Sequence, residues 1–193
     1  MARTGDNVPN GFRIGVLGST KCHHAETQSS CVEIGAQLPT DAIVVTGGLP
    51  GPPRVVIESF SESARIVHLL PHLSFSPKRG MTIRAGWTMG QRRRQLADFC
   101  DIYICIEGGP GTRHETALIA RRNAPILPVA KHGGHAKTLF ASTARPAWAS
   151  LLDWNTLGGN TSNAKEIAEA VRNLLVTFRN QLAIQNVKRW PPS

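Results

Sequence analysis

The sequence predicts an α/β protein, a single domain with one parallel sheet and helices on both of its faces. Short apolar runs rich in Val and Ile alternate with longer segments of helical periodicity, the spacing of strand–helix units rather than of hairpins. Helix-length connections between successive strands make those strands parallel. Several of the runs end directly on glycines, at Gly18-Ser19, Gly47-Gly48 and Gly108-Gly109.

Residues 1–12 are polar with Gly and Pro and read as a flexible N-terminal arm, ahead of a domain spanning 13–183 and a basic tail over 184–193. Arg13–Leu17 is the first strand. Ala25–Leu38 carries Cys31, Val32, Ile34 and Leu38 at helical spacing, and Pro39 ends it. Asp41–Val45 is the second strand. Pro52 and Pro53 open a helix over Arg54–Ser63, since proline in a first helical turn loses no hydrogen bond. Arg65–Leu70 is the third strand. Leu73–Ile83, with Pro77, Arg79 and Gly80, reads either as a mobile loop over a site or as a short edge strand.

Trp87–Asp98 is a helix with a basic start at Arg92-Arg93-Arg94, and Asp101–Ile106 is a fully buried strand that stops at Gly108-Gly109-Pro110-Gly111. A helix follows over Thr112–Asn123, with Thr112 and Glu115 spaced as a capping box. Pro125–Ala130 is the fifth strand by this reading, ending at Lys131-His132-Gly133-Gly134. Trp148–Trp154 is an unassigned segment, Gly158-Gly159-Asn160 a loop, and Asn163–Gln181 a helix with Ile167, Val171, Leu174, Leu175 and Phe178 on one face.

A chain of 193 residues, 41% hydrophobic and 18% charged, suits one globular domain. No apolar run approaches the roughly 20 residues that span a bilayer. The first residues lack an apolar signal core, so a cytosolic protein without membrane attachment is expected. Cys22, Cys31, Cys100 and Cys105 form no C-x-x-C pair and read as reduced, mostly buried thiols. Cys22-His23-His24 with Cys31 lacks zinc-finger spacing, and no metal site is expected. The net charge of +9 suits nucleic acid or a phosphorylated small molecule. Aromatics make up only 6% and are not interleaved with the basic residues, so a small-molecule nucleotide ligand is preferred over RNA.

In a parallel sheet ligands sit beyond the carboxyl ends of the strands, where helix N-termini also lie. Gly18-Ser19, Gly47-Gly48, Arg92, Gly108–Gly111, Glu115 and Gly133-Gly134 therefore converge. A glycine turn feeding a helix lets backbone N–H groups approach an anion, and the helix dipole favours negative charge there. Neither the Walker pattern nor G-x-G-x-x-G is present. Arginine binds phosphate bidentately, but Arg92, Arg93 and Arg94 fan through about 200° of helix, so not all three face one site. Glu115, in the first turn after the glycine loop, is the carboxylate placed for general-base work or for stabilising a cation, unless it only caps the helix. His114 either lines the pocket or points to solvent. No G-x-S-x-G elbow occurs, which argues against a covalent hydrolase.

Met89-x-x-Arg92-Arg93, followed by Gly108-Gly109-x-Gly111-Thr112-x-x-Glu115, resembles the Lonely Guy family and the wider SLOG superfamily, formerly described as lysine decarboxylase-like. The family pattern is M-x-x-R-K, then P-G-G-x-G-T-x-x-E, and the resemblance covers roughly residues 13–131. It implies a Rossmann-like homodimer that cleaves the N-glycosidic bond of nucleoside 5′-monophosphates, cytokinin riboside monophosphates among them, to a base and ribose 5-phosphate. No cofactor is implied. By position, Arg92 and Glu115 would be catalytic, and Gly108, Gly109, Gly111 and Thr112 would hold the 5′-phosphate. Gly18, Ser19, Gly47, Gly48, Met89 and Arg93 would complete the ligand site. The helices beginning at Trp87 and Thr112 would meet the second copy.

Three positions depart from the pattern: Glu107 stands for Pro, Arg93 for Lys, and His114 for the first Glu of a common pair. A carboxylate at Glu107 beside a phosphate cradle would repel the phosphate unless an arginine neutralised it. The resemblance extends to molybdenum-cofactor carrier proteins, which bind a phosphorylated pterin without cleaving it. A carrier or a nucleotide sensor is therefore the alternative expectation.

Overall fold

A computed structural model describes residues 9–188. Six parallel strands, β1 (Arg13–Gly18), β2 (Ile43–Thr46), β3 (Ile66–Leu70), β4 (Met81–Arg84), β5 (Ile102–Ile106) and β6 (Ile126–Val129), form one sheet in the order β4-β3-β2-β1-β5-β6. The chain grows outward from β1 to β4, then returns to the other side of β1. The carboxyl ends of β1 and β5 thus flank the switch point, where connecting loops diverge and leave a crevice.

The helices are α1 (Ala25–Gln37), α2 (Pro52–Ser59), α3 (Met89–Phe99), α4 (Pro110–Ala120), α5 (Gly134–Ser142), α6 (Leu151–Gly158) and α7 (Ala164–Lys188). All residues of β2, β3 and β5 are buried, as strands covered on both faces require. One core lies between the sheet and α1, α2, α6 and α7, with Ile14, Val44, Ile104, Trp154 and Leu174 among its members. The other, under α3 and α4, gathers Val45, Leu69, Leu96, Tyr103 and Ile119. Phe12 is buried in the first core and its carbonyl accepts the Ile43 N–H, whereas residues 1–8 of the expected arm and 189–193 of the basic tail lie outside the described residues.

Several expectations change. Leu73–Ile83 resolves into a loop and an edge strand, β4, paired with β3. Helix α3 starts at Met89 rather than Trp87, because Thr88 and Gln91 form a reciprocal capping box. The capping box expected at Thr112 and Glu115 is absent: α4 begins earlier, with Gly109 as N-cap and Pro110 in the first turn. Helix α5, over residues left unassigned from the sequence, has Gly133 as its N-cap and begins at Gly134, both at positive φ. The expected Asn163–Gln181 helix runs on to Lys188.

Candidate functional site

The loop after β5 is drawn tight. Glu107 has φ 54° and Gly108 φ 100°, the left-handed region where a Cβ at Gly108 would also press on the Thr112 side chain. This turn aims the N-terminus of α4 at the crevice. Thr112 Oγ1 donates to the Gly18 carbonyl at 2.9 Å, stitching the ends of β1 and β5 together, so the hydroxyl is drawn away from local capping. Behind the turn, the N–H groups of His135 and Ala136 donate to the carbonyls of Gly108 and Glu107 at 2.9 and 2.8 Å, fixing the loop against α5.

The resulting cavity has a volume of about 270 Å³. Of the residues singled out in the sequence, Gly18, Ser19, Met89, Arg93, Gly108, Gly109, Gly111, Thr112 and Glu115 line it. Arg92, Gly47 and Gly48 do not. Thr20, His23, Leu49 and Pro110 also line it and were not singled out; adjacency to the glycine turns is the signal that could have found them.

Arg92 lies behind Glu115 rather than beside the open space. Its side chain is 3% exposed, pairs through Nη1 with Glu115 Oε1, and donates from Nε to the Leu69 carbonyl at 3.2 Å. Burial lowers the pKa of the guanidinium, and the Glu115 carboxylate opposes that shift. Gly47 makes room: a Cβ there would coincide with the Arg92 guanidinium. Gly47 is thus a packing requirement of the ion pair. Glu115 Oε2 makes no hydrogen bond among the described residues, and Glu115 lines the cavity.

Arg93 has the opposite character. It makes no hydrogen bond or ion pair among the described residues, its buried Nε is unpartnered, and its guanidinium lies near Gly111. It is the cation in this wall free to meet an anion. Arg94 is exposed and, with Arg113, His114 and Arg121, borders a separate groove between α3 and α4, which places His114 away from the cavity.

Glu107 does not face the cavity as an uncompensated charge, and no arginine neutralises it. Its carboxylate accepts from Ser19 Oγ at 2.6 Å, Thr27 Oγ1 at 2.6 Å and the His23 N–H at 3.0 Å, at the N-terminus of α1. Burial alone would raise its pKa; the hydrogen bonds outweigh that and hold it below the usual carboxylate range. The Ser19 hydroxyl, although at the cavity, is therefore turned to Glu107. Elsewhere, a concavity of about 420 Å³ between α6 and α7 is bordered by Asp153, Glu166 and Glu169, a lining that disfavours anions. Among the described residues no three His, Cys, Asp or Glu side chains gather as a metal site, and no helix is long and apolar enough to cross a membrane.

A search of curated proteins returns no match. Among solved structures, the chain is similar to TM1055, a structural genomics target, at 19% identity, TM-score 0.61, covering 69% of this chain and 83% of that one. It is similar to the molybdenum cofactor carrier protein of Chlamydomonas reinhardtii at 27% identity, TM-score 0.52, covering 61% and 75%. It is also similar to the molybdenum cofactor binding protein of the phototrophic bacterium Rippkaea orientalis at 16% identity, TM-score 0.55, covering 86% and 98%. Over residues 11–150, which hold all six strands, the glycine turns after β1, β2 and β5 and the Arg92–Glu115 pair, the sequence matches one family, and the chain belongs to the SLOG cluster4 family.

Proposed function

We propose that the chain is a phosphoribohydrolase acting on a nucleoside 5′-monophosphate. The observation that carries this reading is Glu115, with its Oε2 unpartnered among the described residues, in the lining of a cavity whose floor is a glycine turn and the N-terminus of α4. In this reading the N–H groups of Gly109, Gly111 and Thr112 and the guanidinium of Arg93 hold the phosphate. The bond between the anomeric carbon and the base nitrogen breaks, the electron pair leaves with the base, and positive charge builds on the ribose. Glu115 Oε2 stabilises that charge, orients the water whose oxygen then bonds to the anomeric carbon, and takes that water's proton, while the departing base nitrogen takes a proton from solvent. Arg92, paired with Glu115 Oε1, holds the carboxylate in place from behind, a positioning role. The reaction so written needs no metal or redox cofactor. A homodimer meeting through α3 and α4, testable by sedimentation, belongs to the same reading.

The test is base release from a panel of nucleoside 5′-monophosphates and the matching nucleosides, with Glu115→Gln as control. Release from a monophosphate only, lost in Glu115→Gln, supports the hydrolase. A second reading, a non-enzymatic carrier of a phosphorylated ligand, is favoured by the similarity at 27% identity to the molybdenum cofactor carrier protein. Tight binding of a phosphorylated ligand without turnover of any nucleotide would select it.

A further inference from the structure

The cavity at the glycine turn is small for a whole nucleotide. Its volume of about 270 Å³ falls below the roughly 300–1,000 Å³ of small-molecule sites. A second cleft of about 400 Å³ adjoins it and shares Leu49 as a wall. Its other walls include Ile57, His68, Phe75, Pro77 and Arg79. Phe75 is 99% exposed, an unusual position for an aromatic ring unless something else covers it.

The cleft is held open by bonds of its own. Arg79 donates to the carbonyls of Ile57, Glu58 and Phe60, tying the β3–β4 loop to the end of α2. Beneath, the Gly48 N–H donates to Thr46 Oγ1, that hydroxyl lies 3.1 Å from His68 Nδ1, and His68 Nε2 lies 2.7 Å from the Arg79 carbonyl. The carbonyl can only accept, so the proton is on Nε2 and Thr46 donates to Nδ1. One chain of hydrogen bonds therefore joins the β2 glycine turn, which leads to Leu49, to the loop that carries Phe75.

We infer that this cleft is the seat of the planar aromatic heterocycle of the ligand whose phosphate occupies the glycine cradle, with Phe75 and Leu49 as its apolar contacts. The inference rests on the cradle reading but is indifferent to whether the ligand is cleaved or only carried. Aromatic faces accept any base, and loss of one base–aromatic stack weakens binding by roughly tenfold or more.

The experiment is calorimetric titration of ribose 5-phosphate, AMP, GMP and CMP into the full chain and into Phe75→Ala and Leu49→Ser. Phe75 is exposed, so its removal leaves the fold intact. At least one nucleotide is expected to bind more tightly than ribose 5-phosphate, and that advantage to fall about tenfold in Phe75→Ala while ribose 5-phosphate is unaffected. The inference is overturned if no nucleotide outdoes ribose 5-phosphate, or if Phe75→Ala changes neither or changes both equally. Failure of the unsubstituted chain to bind ribose 5-phosphate overturns the cradle reading itself, and this inference with it.

Discussion

Gly47→Ala isolates the seat of Arg92. The φ of Gly47 is not positive, so alanine suits the backbone, but its Cβ would occupy the place of the Arg92 guanidinium. The guanidinium is the end of a flexible side chain and can swing away, so the penalty is electrostatic rather than steric. Moving it gives up the pair with Glu115 and the bond to the Leu69 carbonyl. Breaking a buried pair costs about 3–5 kcal/mol, and the 10% exposure of the Glu115 side chain argues for the lower figure, about 3 kcal/mol. For a domain of this size that lowers Tm by about 6–12 °C.

The assay is a double-mutant cycle by urea denaturation, using the native chain, Gly47→Ala, Arg92→Ala and the double variant. Each single variant is expected to be destabilised by about 3 kcal/mol. In the Arg92→Ala background, Gly47→Ala is expected to change stability by less than about 0.5 kcal/mol, because nothing remains for the methyl to displace. Equal destabilisation by Gly47→Ala in both backgrounds would refute the reasoning.

Glu107→Gln turns an amide N–H₂ toward donors from Ser19, Thr27 and His23, and is expected to destabilise by about 1–3 kcal/mol in the same assay. Because the Glu107 carboxyl titrates below its usual range, its contribution is present above about pH 4.3 and is lost as pH falls further; Glu107→Gln should flatten stability against pH there, and an unchanged slope would count against the assignment. His68, His132 and His135 are each lowered by burial, so the unfolded chain takes up their protons first. Stability should therefore be flat above about pH 6.5 and decline as pH falls from there toward 5, read as a falling Tm by calorimetry; a rise over that interval would contradict it. Tyr103→Phe should cost about 1–3 kcal/mol in thermal denaturation, since the buried hydroxyl accepts the Cys100 N–H and donates to the carbonyls at the end of α3; unchanged stability would show those groups satisfied otherwise.

The strands and most helices were legible because their signals are local. Asp101–Ile106 reads as a buried strand from its own apolar run, and Ile167, Val171, Leu174 and Phe178 declare the buried face of α7. Glycine turns after β1, β2 and β5 pointed to the edge of the sheet where the candidate cavity lies, since a parallel sheet brings its strand ends together.

The use made of each side chain was decided by partners distant in sequence. Thr112 and Glu115 have the spacing of a cap, yet Thr112 finds the Gly18 carbonyl 94 residues away and Glu115 finds Arg92 23 residues away. Glu107 reads as a charge beside a phosphate cradle until α1 brings Thr27 and the His23 N–H to it across 80 and 84 residues. Gly47 reads as a ligand-facing turn until Arg92 fills the space above it. Periodicity is a property of neighbouring residues and survives in the sequence alone. The pairing of a buried charge, and the hollow that admits it, exist only once the sheet has brought separate strand ends within hydrogen-bonding reach.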